Sequence, residues 1–331
     1  MQTVFVVVLI VVALGFDFTN GFHDAANAIA TSISTKALPP RVALIMAGVL
    51  NLVGALISTK VAGTVGKGII SAPVGSRGLW LVFAALIGAI AWNLLTWLLG
   101  LPSSSTHALI GGLVGAALVS AGSVHWSGVV DKVVIPMVAS PIVGLALGFV
   151  VMLVILWAFR NRNAHRLNST FRRLQVLSAA AMAYSHGTQD AQKTMGVITL
   201  ALVTSGHLSG FHVPLWVIGS SALAMGFGTY AGGWRVIRTL GRRIVALTPP
   251  NGFAAEVAAS TVLLFSAYAY ALPVSSTHII TSTVMGVGAT RRRSAVRWGI
   301  AGNIVTAWVL TIPGAAAVAA LVFSLGHPFV H

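Results

Sequence analysis

The chain contains no cysteine. Disulfide bridges and thiolate metal sites are therefore excluded. Acid is scarce as well: among 331 residues only Asp17, Asp24, Asp131, Asp190 and Glu256 carry a side-chain carboxylate. Charged residues of both signs make up only 8% of the chain. No segment is polar enough to coat a surface in water, which rules out a soluble fold with buried helices. The hydrolase signatures Gly-x-Ser-x-Gly and His-Glu-x-x-His are both missing. Ser105 and His107 are merely sequence neighbours, and no enzyme is expected.

What fills the chain instead is apolar. Hydrophobic residues reach 56%, and mean hydropathy is +0.91. Runs able to span ~30 Å of hydrocarbon recur along the whole length. Five blocks precede a basic stretch, at about 2–35, 42–59, 79–100, 103–120 and 132–159. Five more follow it, at about 174–204, 213–232, 252–271, 273–289 and 296–325. The opening run Gln2–Leu14 lacks a basic leader and a small-residue cleavage site, so it reads as part of the first block rather than a signal peptide. The expected fold is all-α: a polytopic integral membrane protein with broken or re-entrant helices.

The net charge of +15 suggests nucleic acid, but its distribution argues otherwise. Arginines gather in short stretches at 160–173, 235–243 and 291–297. Basic clusters beside spanning segments mark cytoplasmic loops. Membrane lipid is the expected partner, and nucleic acid is not. A homodimer is a possible assembly.

Two motifs occur twice. Asn20-Gly21-Phe22-His23-Asp24-Ala25-Ala26-Asn27 is echoed by His186-Gly187-Thr188-Gln189-Asp190-Ala191-Gln192-Lys193. Leu101-Pro102-Ser103-Ser104-Ser105-Thr106-His107 is echoed by Leu272-Pro273-Val274-Ser275-Ser276-Thr277-His278. Same order and nearly the same shift indicate an internal repeat. The division is 1–159 for the first repeat, 160–173 for a cytoplasmic linker and 174–331 for the second repeat. Each half crosses an odd number of times, so the copies are inverted. With the arginine loops inside, both termini lie outside. Lys60, Lys67 and Arg77 then also fall outside, against the charge rule.

A carboxylate near a bilayer centre costs about 2.5–3.5 kcal/mol on insertion scales, so Asp24 and Asp190 call for a function. The glycines and polar residues around them predict broken helices there. Cation binding or protonation at Asp24 and Asp190 is the available chemistry, helped by Asn27 and Gln189; helix capping is the structural alternative. His23 is the best proton carrier, beside Asp24 and able to titrate near neutrality. Lys193 lies one turn after Asp190, either as its internal ion pair or facing an anionic substrate. Pro102 and Pro273 end what precedes them. The hydroxyls and free amides that follow, at Ser104, Ser105, Thr106, Ser275, Ser276 and Thr277, form neutral oxyanion donors at two helix starts. Glu256 is a helix-start charge or a second coupling carboxylate.

These four motifs resemble those of the inorganic phosphate transporter (Pit) family, and the likeness runs essentially the length of the chain. The resemblance implies a secondary symporter importing inorganic phosphate with H⁺ or Na⁺, often as a neutral complex with a divalent metal, and no cofactor. It places cation coupling, or sodium ligation, on Asp24 and Asp190. Phosphate contact falls to Ser104, Ser105 and Thr106 with Ser275, Ser276 and Thr277. Sodium-coupled relatives commonly have Asn where His23 and Gln189 stand, and Glu where Asn51 stands; Glu256 matches their other glutamate. The lost carboxylate and gained imidazole favour protons. A sulfate-carrying branch of the family, a sodium-coupled phosphate symporter and, in another class, an anion channel are the alternatives.

Overall fold

The computed structural model describes residues 2–120 and 122–326. All ten apolar blocks appear as helices. In the first half they are α1 (Gln2–Ser34), α2 (Pro40–Ile57), α4 (Ser76–Leu99), α5 (Ser105–Val119) and α7 (Ile135–Ala158). In the second they are α8 (Ala164–Thr204), α9 (Leu215–Ala231), α11 (Pro249–Tyr270), α12 (Ser276–Ala289) and α13 (Trp298–Gly326). Short helices fill matching places: α3 (Lys60–Lys67) after α2, and α10 (Trp234–Arg238) after α9. A further short turn, α6 (Trp126–Val129), leads into α7. Six of the helices are long and apolar enough to cross a membrane. Large apolar side chains such as Val11, Val49, Ile142, Leu153 and Leu310 face outward, while Asp24, Asn51, Asp190 and Glu256 are buried. That inversion of the usual soluble pattern fits a lipid exterior.

The two halves are packed by one rule. α1 lies on α9 and α2 on α8; α5 packs on α13 and α12 on α7. Each half therefore lends its last long helix to the other half's hairpin. The hairpins are α4–α5 and α11–α12. A two-residue ribbon pairs Ile70 with Val124 and Ser71 with Ser123, holding the open end of the first hairpin on one face. Lys60 and Lys67 sit on that face, as do both described chain ends: Phe5 stacks on Trp80, and Trp80 Nε1 donates to Phe323 O. The arginines gather on the other face. There Arg297 Nη1 donates to Arg242 O and Arg243 O, and Arg160, Arg162 and Arg291 surround one cavity.

Two sequence expectations change. The acidic motifs do not break their helices; α1 and α8 run unbroken through them. Their glycines serve close approach instead. A Cβ on Gly187 would stand 2.1 Å from Asn51 O of α2, and one on Gly21 would stand 2.7 Å from Met225 O of α9. Small residues at helix crossings let backbones meet without unpairing any backbone group. The basic stretch 160–173 is likewise not all loop. Asn163 Oδ1 accepts from His165 N and Arg166 N, starting α8 at Ala164.

The breaks fall at the proline motifs. α4 ends on Gly100 (φ +66) and α11 ends at the equivalent Ala271 (φ +52), both left-handed. Pro102 and Pro273 prevent continuation. Ser104 Oγ then accepts from His107 N, and Ser275 Oγ from His278 N, capping α5 and α12. With 15 and 14 residues, these helices reach only about 22 Å, short of the hydrocarbon thickness. They start at mid-depth, so each hairpin is re-entrant.

Candidate functional site

The starts of α5 and α12 meet α1 and α8 at the centre of the molecule. Asp24 Oδ2 accepts from Ser105 Oγ at 2.8 Å, and Asp24 Oδ1 accepts from Thr277 Oγ1 at 3.2 Å. In the other half Asp190 Oδ2 accepts from Ser276 Oγ at 3.1 Å. Ser105 and Ser276 are equivalent, so each half pairs its own aspartate with its own hairpin serine. Asn27 Nδ2 crosses between the halves, donating to Ser276 Oγ at 3.2 Å and Thr277 Oγ1 at 2.9 Å. Lys193 Nζ crosses the other way, to Ser105 Oγ at 3.1 Å. Thr106 Oγ1 donates to Val274 O in the opposite hairpin.

The two aspartates have different companions. Asp24 meets His23 Nδ1 at 2.7 Å. The other imidazole nitrogen, His23 Nε2, contacts Thr96 Oγ1 and Ser103 Oγ. Asp190 pairs with Lys193 Nζ at 2.9 Å and with His186 Nε2 at 3.1 Å. Lys193 thus pairs with Asp190 while also reaching the Ser105 hydroxyl. His186 is held by Asn51 Oδ1, and Asn51 Nδ2 donates to Thr229 Oγ1. Donor atoms of Asp24, His186 and Asp190 lie within 4.8 Å of one another, which would let them share a metal ion. All these side chains are buried. The first amides of α5 and α12 have no carbonyl partner within their helices.

Four expected residues stand apart. Gln189 Nε2 donates to Leu263 O and Leu272 O, securing the second hairpin much as His23 meets Thr96 and Ser103 of the first. Ser104 and Ser275 act as caps. Glu256, on α11, lies beside the C-terminal end of α1 and accepts from Thr31, Gln175 and Ser178. His186, Asn51, Thr96 and Ser103 are the contributors that sequence reasoning left out. His186 and Ser103 lie inside the quoted motifs and Asn51 stands where the family resemblance expects a glutamate, while Thr96 carried no sequence signal.

Matching latches hold the hairpin tips. Thr64 Oγ1 of α3 donates to Ala271 O, and Thr239 Oγ1 just past α10 donates to Gly100 O. Lys60 Nζ donates to Tyr268 O, and Arg235 Nη1 donates to Leu98 O. A basic residue and a threonine therefore pin each tip, on opposite faces.

A model of the phosphate transporter family matches residues 20–167 and, a second time, 158–319. The double match falls on the two halves. The "Probable low-affinity inorganic phosphate transporter" of Mycobacterium tuberculosis (strain ATCC 25618 / H37Rv) is 50% identical over 99% of this chain and 79% of its own length. The protein of the same description in Bacillus subtilis (strain 168) is 44% identical over 96% of each chain. Among solved structures, one described as "The sodium-dependent phosphate transporter" superposes with a TM-score of 0.84. The superposition covers 98% of this chain and 99% of that one, at 23% identity, and speaks for the fold alone.

Proposed function

The chain belongs to the phosphate transporter family, and on that premise we propose that it imports inorganic phosphate by symport, with H⁺ as the coupling ion. The observation that carries this reading is shared donors. Ser105 and Thr277 donate to Asp24, and Ser276 donates to Asp190. A bound oxyanion needs those same hydroxyls, together with the Lys193 ammonium and the helix-start amides.

An anion held by Ser105 Oγ would sit about 5 Å from an ionised Asp24, where like charges repel by about 3 kcal/mol at an effective dielectric of 20. A cation on Asp24 removes the repulsion and frees the hydroxyl. Phosphate and cation therefore help each other bind, which is the thermodynamic content of symport. His23, at 2.7 Å, is placed to pass a proton to and from Asp24. Asp24, His186 and Asp190 offer one nitrogen and two carboxylates, a donor set that suits a divalent metal travelling with phosphate. The two hairpins, latched from opposite faces, are the elements to move in alternating access. On this reading the arginine face is cytoplasmic.

Uptake of radiolabelled phosphate into proteoliposomes tests the proposal. Accumulation should follow an inward proton gradient and resist excess sulfate. Uptake indifferent to pH but driven by sodium would reassign the ion. Complete competition by sulfate would reassign the anion, and downhill flux alone would indicate a channel.

A further inference from the structure

Asp17 belongs to none of the motifs and has no part in the site above. It is 0% exposed, midway along α1, and neither carboxylate oxygen has a hydrogen-bond partner. Asn20 and Thr194 lie beside it as its polar neighbours, and both atoms of the Asn20 amide and the Thr194 hydroxyl have no other hydrogen-bond partner. All three side chains are buried to 0% exposure. Asp17, Asn20 and Asp24 follow at helical spacing on one face of α1; Thr194 follows Asp190 by one turn of α8.

Charge separates Asp17 from the other buried aspartates. Asp24 has His23, and Asp190 has Lys193 and His186. Among the described residues Asp17 has no cation in ion-pair contact. The charged groups facing it come from α8, where Lys193 attracts it and Asp190 repels it. On α1 itself the neighbours that titrate are His23 and Asp24, further along. α4 brings Asn93, buried and unpartnered one turn before Thr96, and no titratable side chain at that level. α9 brings none that is buried; its Tyr230 is exposed. Asp17 also lies outside the Asp24–His186–Asp190 group that could converge on a metal. A buried carboxylate with no counter-ion in contact is among the costliest groups to bury. Two oxygens, an amide and a hydroxyl on two helices offer too few ligands to cage a metal, but they can orient a single proton.

We propose that Asp17, set by Asn20 and Thr194, is a second proton site, loaded from the lysine-bearing face before Asp24. α1 begins on that face, so a proton travelling inward meets Asp17 about two turns ahead of Asp24. The proposal rests on the proton-symport reading and extends it to a second coupling group.

The test compares wild type, D17N, D17E and T194V in proteoliposomes, following phosphate–phosphate exchange and pH-gradient-driven accumulation separately. D17N should keep exchange within about twofold of wild type and lose accumulation by about tenfold or more, with D17E recovering it. T194V, which keeps the carboxyl, should move the pH of half-maximal uptake by about half a unit or more. Accumulation by D17N at the wild-type level, joint loss of exchange and accumulation, or an unmoved pH profile in T194V would each overturn the assignment. Wild-type uptake indifferent to the pH gradient would instead remove proton symport, and this site with it.

Discussion

Asp24→Asn isolates the linkage on which the proposed symport depends. The substitution keeps size and shape, and its single amide oxygen can still accept from one of Ser105 and Thr277, which donate to the two carboxylate oxygens at 2.8 and 3.2 Å, while the other hydroxyl must turn to accept from the new NH2. The charge and one accepting oxygen are lost. An oxyanion on Ser105 Oγ would lie about 5 Å from that charge, giving about 3 kcal/mol of repulsion at an effective dielectric of 20. At 1.4 kcal/mol per tenfold, phosphate should bind wild type about 100-fold more tightly with Asp24 neutralised than with it ionised. In D24N that difference should collapse to within about threefold, because there is no charge left to neutralise. Calorimetric titration of phosphate into purified protein at high and low pH measures both values. Transport should fail even though binding survives, since a permanently neutral site cannot release its cation. A D24N protein that retains the wild-type pH dependence of phosphate binding would refute the reasoning. So would D24N transport at the wild-type rate.

Further outcomes follow from individual contacts. Gly187→Ala places a methyl 2.1 Å from the Asn51 backbone oxygen, so α2 and α8 must separate; thermal unfolding in detergent should show a loss of about 1–3 kcal/mol, as for overpacked cores. Lys193→Met leaves Asp190 with His186 and Ser276 but without its ammonium partner and should destabilise by about 3–5 kcal/mol, with the Asp190→Asn, Lys193→Met double variant recovering much of that in the same melt. Ser105→Ala removes a hydroxyl shared by Asp24 and Lys193 and should weaken phosphate binding about tenfold, read by calorimetry. Ser104→Ala removes a cap instead, costing about 1 kcal/mol of stability with a smaller change in affinity.

The repeat was legible because both halves reuse unusual residues in an apolar background, where Pro102 and Pro273, or Asp24 and Asp190, stand out singly. The hairpins were legible for the same reason, since proline followed by serine can only end one helix and start another. The motif glycines were misjudged because one property has two uses. Lacking a Cβ frees the backbone to bend and also lets another backbone come close, and α1 and α8 use the second. Pairings across the halves were beyond sequence altogether. Nothing local links Asn27 to Thr277 or Lys193 to Ser105; the inverted packing of α1, α5, α8 and α12 brings them together. The latches were hidden differently. Lys60 and Arg235 read as loop charges, and Lys60 as a breach of the charge rule, because their role lies in carbonyls freed at the ends of α11 and α4. A basic side chain at a helix C-terminus is favoured on either side of a membrane. That local term gives Lys60 a reason to stand where the topology alone would exclude it. It also leaves the symmetry of the latches intact while the site between them is asymmetric, with His23 beside one aspartate and Lys193 beside the other. Equal clamps around unequal carboxylates are what a carrier needs if both faces are to open by the same motion while only one aspartate exchanges its cation.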